Sequence, residues 1–112
     1  MKVSIITVSY NSAKTIQDTI DSIKSQDYND IEYIVIDGAS NDKTLDILKK
    51  HKDVISKMIS EPDNGIYDAM NKGLKMATGD IIGILNSDDF YLNNDCITKI
   101  VDCFSKENCD IV

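Results

Sequence analysis

What this 112-residue sequence has least of is organised positive charge. Twelve Lys and Arg stand against nineteen Asp and Glu, giving a net charge of −7, and no basic run could follow a nucleic-acid backbone. DNA, RNA and anionic membranes are therefore poor partners. The sequence also lacks a C-x-x-C pair. Cys96, Cys103 and Cys109 are odd in number and clustered near one end, which reads as reduced thiols packing beside apolar residues in a cytoplasmic protein. Long apolar runs are missing too: the opening MKVSIITVSYN has one lysine and a short apolar stretch that polar residues interrupt at once, too brief for a signal-peptide core or a membrane span. With no linker, repeat or low-complexity segment, residues 1–112 read as a single domain whose 42% apolar content supports a modest core.

What is present alternates. Val3 to Val8 is a β-rich run, followed beyond Asn11 and Ser12, both N-cap residues by type, by Ala13, Ile16, Ile20 and Ile23 at helical spacing. Tyr33 to Ile36 reads as a second strand, and Ser40 or Asp42 can begin a helix carrying Leu45, Ile47 and Leu48. Val54 to Ile59 is a weaker strand, and Glu61-Pro62-Asp63-Asn64-Gly65 signals a turn. Ile66, Ala69, Met70, Gly73, Leu74 and Ala77 form an amphipathic helix that Gly79 ends. Ile81, Ile82, Ile84 and Leu85 read as a strand buried on both faces, and Ile97, Ile100, Val101 and Phe104 share one helical face. Asp110-Ile111-Val112 reads as the beginning of a further strand.

Strands alternating with helices predict an α/β fold, a mostly parallel sheet wrapped by helices, with ligands bound beyond the carboxyl ends of the strands. Three polar clusters stand at such ends: Ser9-Tyr10-Asn11, Asp37-Gly38-Ala39-Ser40 and Asn86-Ser87-Asp88-Asp89. They converge on one crevice if the first, second and fourth strands are near neighbours.

Asp88 and Asp89 offer hard oxygens suited to Mg²⁺ or Mn²⁺, and no His or Cys stands nearby to make a zinc site. At about 4 Å and an effective dielectric of 20, two like charges repel by roughly 4 kcal/mol, so a diphosphate approaches this pair only with a cation between them. A bare Asp-Asp also serves as a turn cap and a solvated residue. Asp37 suits a hydrogen bond from a uracil ring N–H or a strand-end turn, and Tyr10 suits stacking on a base or packing. Gly65 reads as a tight-turn glycine, or as the opening of a helix whose N–H groups face an anion. Lys72 reads as a solvated surface lysine, and His51 as a residue at a helix end beside the helix dipole.

Together, VSIITVSYN, IEYIVIDGASNDKT, DNGIYDAMNKGLKMATGD and IIGILNSDDFY resemble the nucleotide-binding half of a family-2 glycosyltransferase with the GT-A fold, over essentially the whole chain. The resemblance implies a Rossmann-like, truncated α/β half-domain. It places Asp89 as the direct metal ligand, with Asp88 and the adjoining Ser87 nearer the ribose or diphosphate. Val8, Ser9 and Tyr10 then line the nucleobase pocket, and Asp37 is the first of two acidic positions in the base-binding turn. The second is Gly38 here, a departure from the pattern. Asp68 is a further nucleotide-binding candidate near the start of the third helix, where relatives often carry a basic or polar residue and this chain has Gly65.

The implied reaction is metal-assisted, inverting transfer of a sugar from a nucleotide-sugar, by default UDP-linked, to a saccharide or lipid-linked acceptor hydroxyl. The catalytic base is expected beyond Val112, so the chain reads as a piece of a longer transferase, inactive alone, with apolar surface that favours self-association. A receiver domain shares the length and alternation but needs an acidic pair after its first strand, where this chain has Ser9-Tyr10-Asn11. A nucleotidyltransferase needs a glycine-rich basic loop there, also absent. A non-catalytic nucleotide-binding module differs from the transferase only in what lies beyond Val112.

Overall fold

The computed structural model describes residues 1–105. Eight elements alternate as expected: β1 (Val3–Ser9), α1 (Ile16–Lys24), β2 (Ile31–Asp37), α2 (Thr44–Lys50), β3 (Lys57–Ser60), α3 (Ile66–Met76), β4 (Ile81–Ile84) and α4 (Cys96–Phe104). The strand expected at Asp110-Ile111-Val112 lies outside the described residues. All pairings are parallel, in the order β3-β2-β1-β4, so the first, second and fourth strands are adjacent.

Alternation along β1 and β2 feeds two cores. Val3, Ile5, Tyr33 and Val35 face α1, α2 and α4 through Ile16, Ile20, Leu48 and Ile97. Ile6, Val8, Ile34 and Ile36 face α3 through Ala69. Every residue of β1 is buried, as are six of the seven in β2, which is what central parallel strands covered by helices require. The polar residues that this buries pair across the two strands: Ser4 Oγ donates to Glu32 Oε1 at 2.8 Å, Tyr33 Oη to Thr7 Oγ1 at 2.8 Å, and Ser9 Oγ to Asp37 Oδ1 at 2.8 Å. Burial pushes the Tyr33 hydroxyl above its ordinary range, which keeps it a neutral donor.

On the other face, α3 lies so close to β1 that a methyl group at Gly73 would come within 2.5 Å of Ile6 Cγ2. That approach covers β1 and β2 but not β4. Among the described residues, the expectation that the fourth strand is buried on both faces is corrected: Ile81 and Leu85 pack into the core, whereas Ile82 and Ile84 on the α3 side of β4, the outer strand of the described sheet, are 44% and 45% exposed.

Three elements start a few residues later than their local signals predict. Helix α1 opens at Ile16 because Ser12 to Thr15 first form a turn, with Ile16 N–H donating to Ser12 O. Helix α2 opens at Thr44, whose N–H donates to Asp42 Oδ1 at 2.9 Å. The third strand starts at Lys57, not Val54, because Val54 and Ile55 donate back to His51 O in the turn that closes α2. The reduced-thiol expectation also needs correcting: Cys96 is free but Cys103 is disulfide-bonded. Among the described residues no helix is long and apolar enough to cross a membrane.

Candidate active site

Ser9 and Asp37 end β1 and β2 in register, and both strands then turn through left-handed residues, Asn11 at φ 48° and Ala39 at φ 61°. These turns stand because Asp37 organises them. Its carboxylate, fully buried, accepts from Ser9 Oγ (2.8 Å), Ser40 N–H (2.8 Å), Ser40 Oγ (2.6 Å) and Ser60 Oγ (2.9 Å). The loops after the two strands are stitched further by Asn11 N–H to Ser40 Oγ, Asn41 N–H to Asn11 Oδ1 and Ser12 N–H to Thr44 Oγ1, at 2.8, 2.9 and 2.8 Å.

The segment after β4 closes the third side. Ser12 and Ser87 hydroxyls lie 2.7 Å apart, and Thr19 Oγ1 on α1 reaches both Ser87 O at 3.0 Å and Asp89 O at 2.5 Å. The fourth side is the turn before α3, where Gly65 at φ 110° permits a conformation that a side chain would strain. Together they enclose an open crevice of about 1320 Å³ at the carboxyl edge of the sheet.

The three clusters do converge. Val8, Ser9, Tyr10, Gly38, Ser87 and Asp88 all line the crevice, and Tyr10, 62% exposed, brings an aromatic ring to it. The three other sequence candidates do not line it. Asp37 is buried beneath the crevice with both oxygens accepting from protein donors, so its surroundings are those of the strand-end turn residue, the second of its two readings. Asp68 accepts from Asn64 N–H at 3.0 Å and lies 3.7 Å from Lys72, serving the first turn of α3. Asp89 is exposed outside the crevice wall.

Lys72 is also less free than its helical position implies. It pairs with Glu61 at 3.0 Å, and the Glu61 hydrogen bond raises its pKa above the ordinary lysine value. His51 ends α2 as expected and meets Gln17 Oε1 at 3.0 Å.

Sequence reasoning missed several wall residues. Lys14 and Lys43 line the crevice and bring positive charge to it, and Asp42, Asp63 and Asn86 line it as well. Lys14 and Lys43 follow strand-end turns, the one signal that could have marked them. Asn86 Oδ1 is buried without a hydrogen-bond partner, an acceptor left open at the crevice wall.

Among the described residues no group of three or more His, Cys, Asp or Glu could cage a metal, and no ion pair holds Asp88 or Asp89. The donor chemistry nevertheless fits a hard divalent cation: Asp88 and Asn86 would supply oxygens, and no soft ligand lines the crevice.

The sequence model of glycosyl transferase family 2 matches residues 4–112. An Escherichia coli relative, UDP-Glc:alpha-D-GlcNAc-diphosphoundecaprenol beta-1,3-glucosyltransferase WfaP, is 41% identical over 101 residues, 88% of this chain and 39% of the relative. A glycosyltransferase of Mycobacterium tuberculosis is 39% identical over 104 residues, 92% of this chain and 40% of that protein. The chain thus spans about two fifths of the length of these relatives. Two solved structures superpose closely: S. aureus TarS 1-349 in complex with UDP-GlcNAc, with TM-score 0.86, 28% identity and coverage of 93% of this chain and 31% of that 1-349 chain, and the Pyrobaculum calidifontis mannosyltransferase PcManGT in complex with GDP-Man and Mn²⁺, with TM-score 0.85, 27% identity and coverage of 95% and 33%. The parallel sheet and its flanking helices are therefore those of the GT-A, Rossmann-like fold.

Proposed function

The chain belongs to glycosyl transferase family 2, and from that premise we propose that its carboxyl-edge crevice binds a nucleotide-sugar and a divalent cation for transfer of the sugar to an acceptor hydroxyl. The observation that carries this reading is the convergence of three strand-end segments on one crevice, with Tyr10 open on one wall and Asp88 unpaired on another. Each part of a nucleoside diphosphate meets matching chemistry. Tyr10 offers a ring to the base, Ser12 and Ser87 offer hydroxyls, and Lys14 and Lys43 offer charge to phosphate.

Asp88, helped by the open Asn86 Oδ1, would hold the cation beside the diphosphate, and Asp89 follows it in sequence outside the crevice wall. A bound Mg²⁺ or Mn²⁺ neutralises charge on the leaving diphosphate. The relatives support these assignments: TarS was solved with UDP-GlcNAc and PcManGT with GDP-Man and Mn²⁺. UDP is the donor base favoured here, in a cytoplasmic setting of polysaccharide assembly.

In the transfer, the acceptor oxygen bonds to the anomeric carbon as the bond to the diphosphate breaks, and the acceptor proton passes to a carboxylate base. None of the described crevice residues is assigned that role. The chain spans about two fifths of its relatives' length, and the part of the reaction assigned to it is donor binding; the base and the site for a saccharide or lipid-linked acceptor are not assigned to the described crevice. Exposed Ile82 and Ile84 support self-association of this piece through the β4 edge.

Calorimetric titration of UDP and of GDP with and without Mn²⁺ tests the reading. Mn²⁺-dependent binding that Asp88→Asn removes is the expected result. A folded chain that binds neither nucleotide with Mn²⁺ present would overturn it.

A further inference from the structure

The pattern that this chain resembles has two adjacent acidic positions in the base-binding turn. Here the first, Asp37, is saturated and buried, and the second is Gly38, with no side chain. The crevice wall at that point is nevertheless not bare. A methyl group at Gly38 would lie 2.9 Å from Asp63 Oδ2 and 3.4 Å from Tyr10 Cδ1. A carboxylate oxygen from the turn before α3 thus stands against the space where a side chain at Gly38 would begin, beside the one exposed ring of the crevice.

Asp63 is held there from one side only. Its Oδ1 accepts from Gly65 N–H at 3.1 Å, and that bond belongs to the turn that Gly65 makes possible at φ 110°. Its Oδ2 has no hydrogen-bond donor among the described residues, and Asp63 lines the crevice. A half-buried carboxylate oxygen with unused lone pairs takes a donor from a ligand far better than an acceptor, because two facing lone pairs repel in a partly desolvated site.

We propose that Asp63, not Asp37, reads the nucleobase, accepting the ring N–H of a base that carries one on its pairing edge and disfavouring a base with a bare ring nitrogen there. This rests on the nucleotide-sugar reading of the crevice and deepens it. Uracil and guanine present such an N–H; cytosine and adenine present a lone pair at the corresponding position. Gly38 is then a specificity feature in its own right, since only a residue without Cβ lets the Asp63 carboxylate close over the turn.

The test is competitive titration of UDP and CDP, each with Mn²⁺, into the wild-type chain, Asp63→Asn and Gly38→Ala, with folding of each variant followed by thermal melting. UDP and CDP differ only at the base edge, so their affinity ratio cancels everything the phosphates contribute. The wild type is expected to prefer UDP. Asp63→Asn, whose amide can donate as well as accept, is expected to shrink that preference by about tenfold or more, the usual effect of losing a hydrogen bond to a charged group. Gly38→Ala, which keeps Asp63 but pushes it away, is expected to move the ratio in the same direction. A UDP:CDP ratio unchanged in a folded Asp63→Asn, or in Gly38→Ala if the first does not fold, overturns the proposal while leaving the nucleotide site standing. Failure of the wild type to bind either nucleotide overturns both.

Discussion

Strand β2 carries two buried carboxylates five residues apart, and the protein treats them in opposite ways. At the amino end, Glu32 is 5% exposed and surrounded by cations: Lys57 at 3.1 Å and Lys2 at 3.5 Å, with hydrogen bonds from Ser4 Oγ, Thr78 N–H and Thr78 Oγ1. Burial alone would raise its pKa. The Thr78 N–H, Ser4, Lys57 and Thr78 hydroxyl bonds together outweigh that and bring it down to about 2 from an ordinary 4.5. At the carboxyl end, Asp37 is equally buried but is met by three hydroxyls and one backbone N–H, with no lysine.

The lysines make the difference instructive. At the amino end the buried carboxylate is paired with two lysines inside the protein, and it clamps the loop after α3 to β1 and β3. At the carboxyl end Asp88 and Asp63 face the crevice, with no ion pair to either among the described residues. One edge of the sheet is built for stability. The other leaves two crevice carboxylates without an ion pair among the described residues, the charge that the proposed ligand would use.

The largest expected effect comes from breaking the amino-end clamp. Glu32→Gln leaves donors and lysines without their acceptor. Because both lysines are more than a third exposed and can resolvate, the cost falls below that of a fully buried pair, at about 2 kcal/mol. For a domain of this size that is a melting point lower by on the order of 10 °C, read by thermal denaturation. Nucleotide affinity of the folded variant should not change. If it does, the two edges are not separable.

Acid sharpens the same comparison. The Glu32 pKa is depressed in the folded state, so its stabilisation is complete above about 4.5 and is lost as pH falls from there toward 2. Melting curves across that window should fall less steeply in Glu32→Gln than in the wild type. Parallel curves would show that Glu32 is not the group that titrates.

Asp37→Asn should cost less, about 1 kcal/mol. Three of its four donors are hydroxyls that can rotate to accept from the new amide, and only Ser40 N–H is fixed. Unlike Glu32→Gln it should also weaken nucleotide binding, because the turns it holds are the crevice wall. Asp88→Asn should have the smallest effect on stability, within about 0.5 kcal/mol, since no intramolecular partner is lost among the described residues.

The alternation, the parallel sheet and the three strand-end clusters were legible in the sequence because they rest on local apolar periodicity and turn chemistry. Six of the nine residues singled out as binding candidates reach the crevice for the same reason: a strand's end fixes where its next residues emerge. For Asp37 the sequence leaves a base contact and a strand-end turn side by side, because nothing local says that Ser9, Ser40 and Ser60, from three separate segments, will fill its oxygens. Asp63 was passed over because its turn reads as punctuation, and only the tertiary approach to Gly38 gives it a role. The exposed face of β4 was hidden for a related reason. Its isoleucines look like a central strand, and which helix covers which strand is decided by the close packing of Gly73 on Ile6, far away in sequence.

The most direct test of the central claim is the thermal shift produced by UDP with Mn²⁺ in the wild type, Glu32→Gln and Asp88→Asn. At about a hundredfold excess over Kd, ligand binding adds roughly 2.7 kcal/mol to stability and raises the melting point by on the order of 10 °C. The account predicts that shift in full for the wild type and for the less stable Glu32→Gln, and its loss in the equally stable Asp88→Asn. A shift that survives Asp88→Asn, or one that disappears with Glu32→Gln, would contradict the assignment of binding to the carboxyl edge.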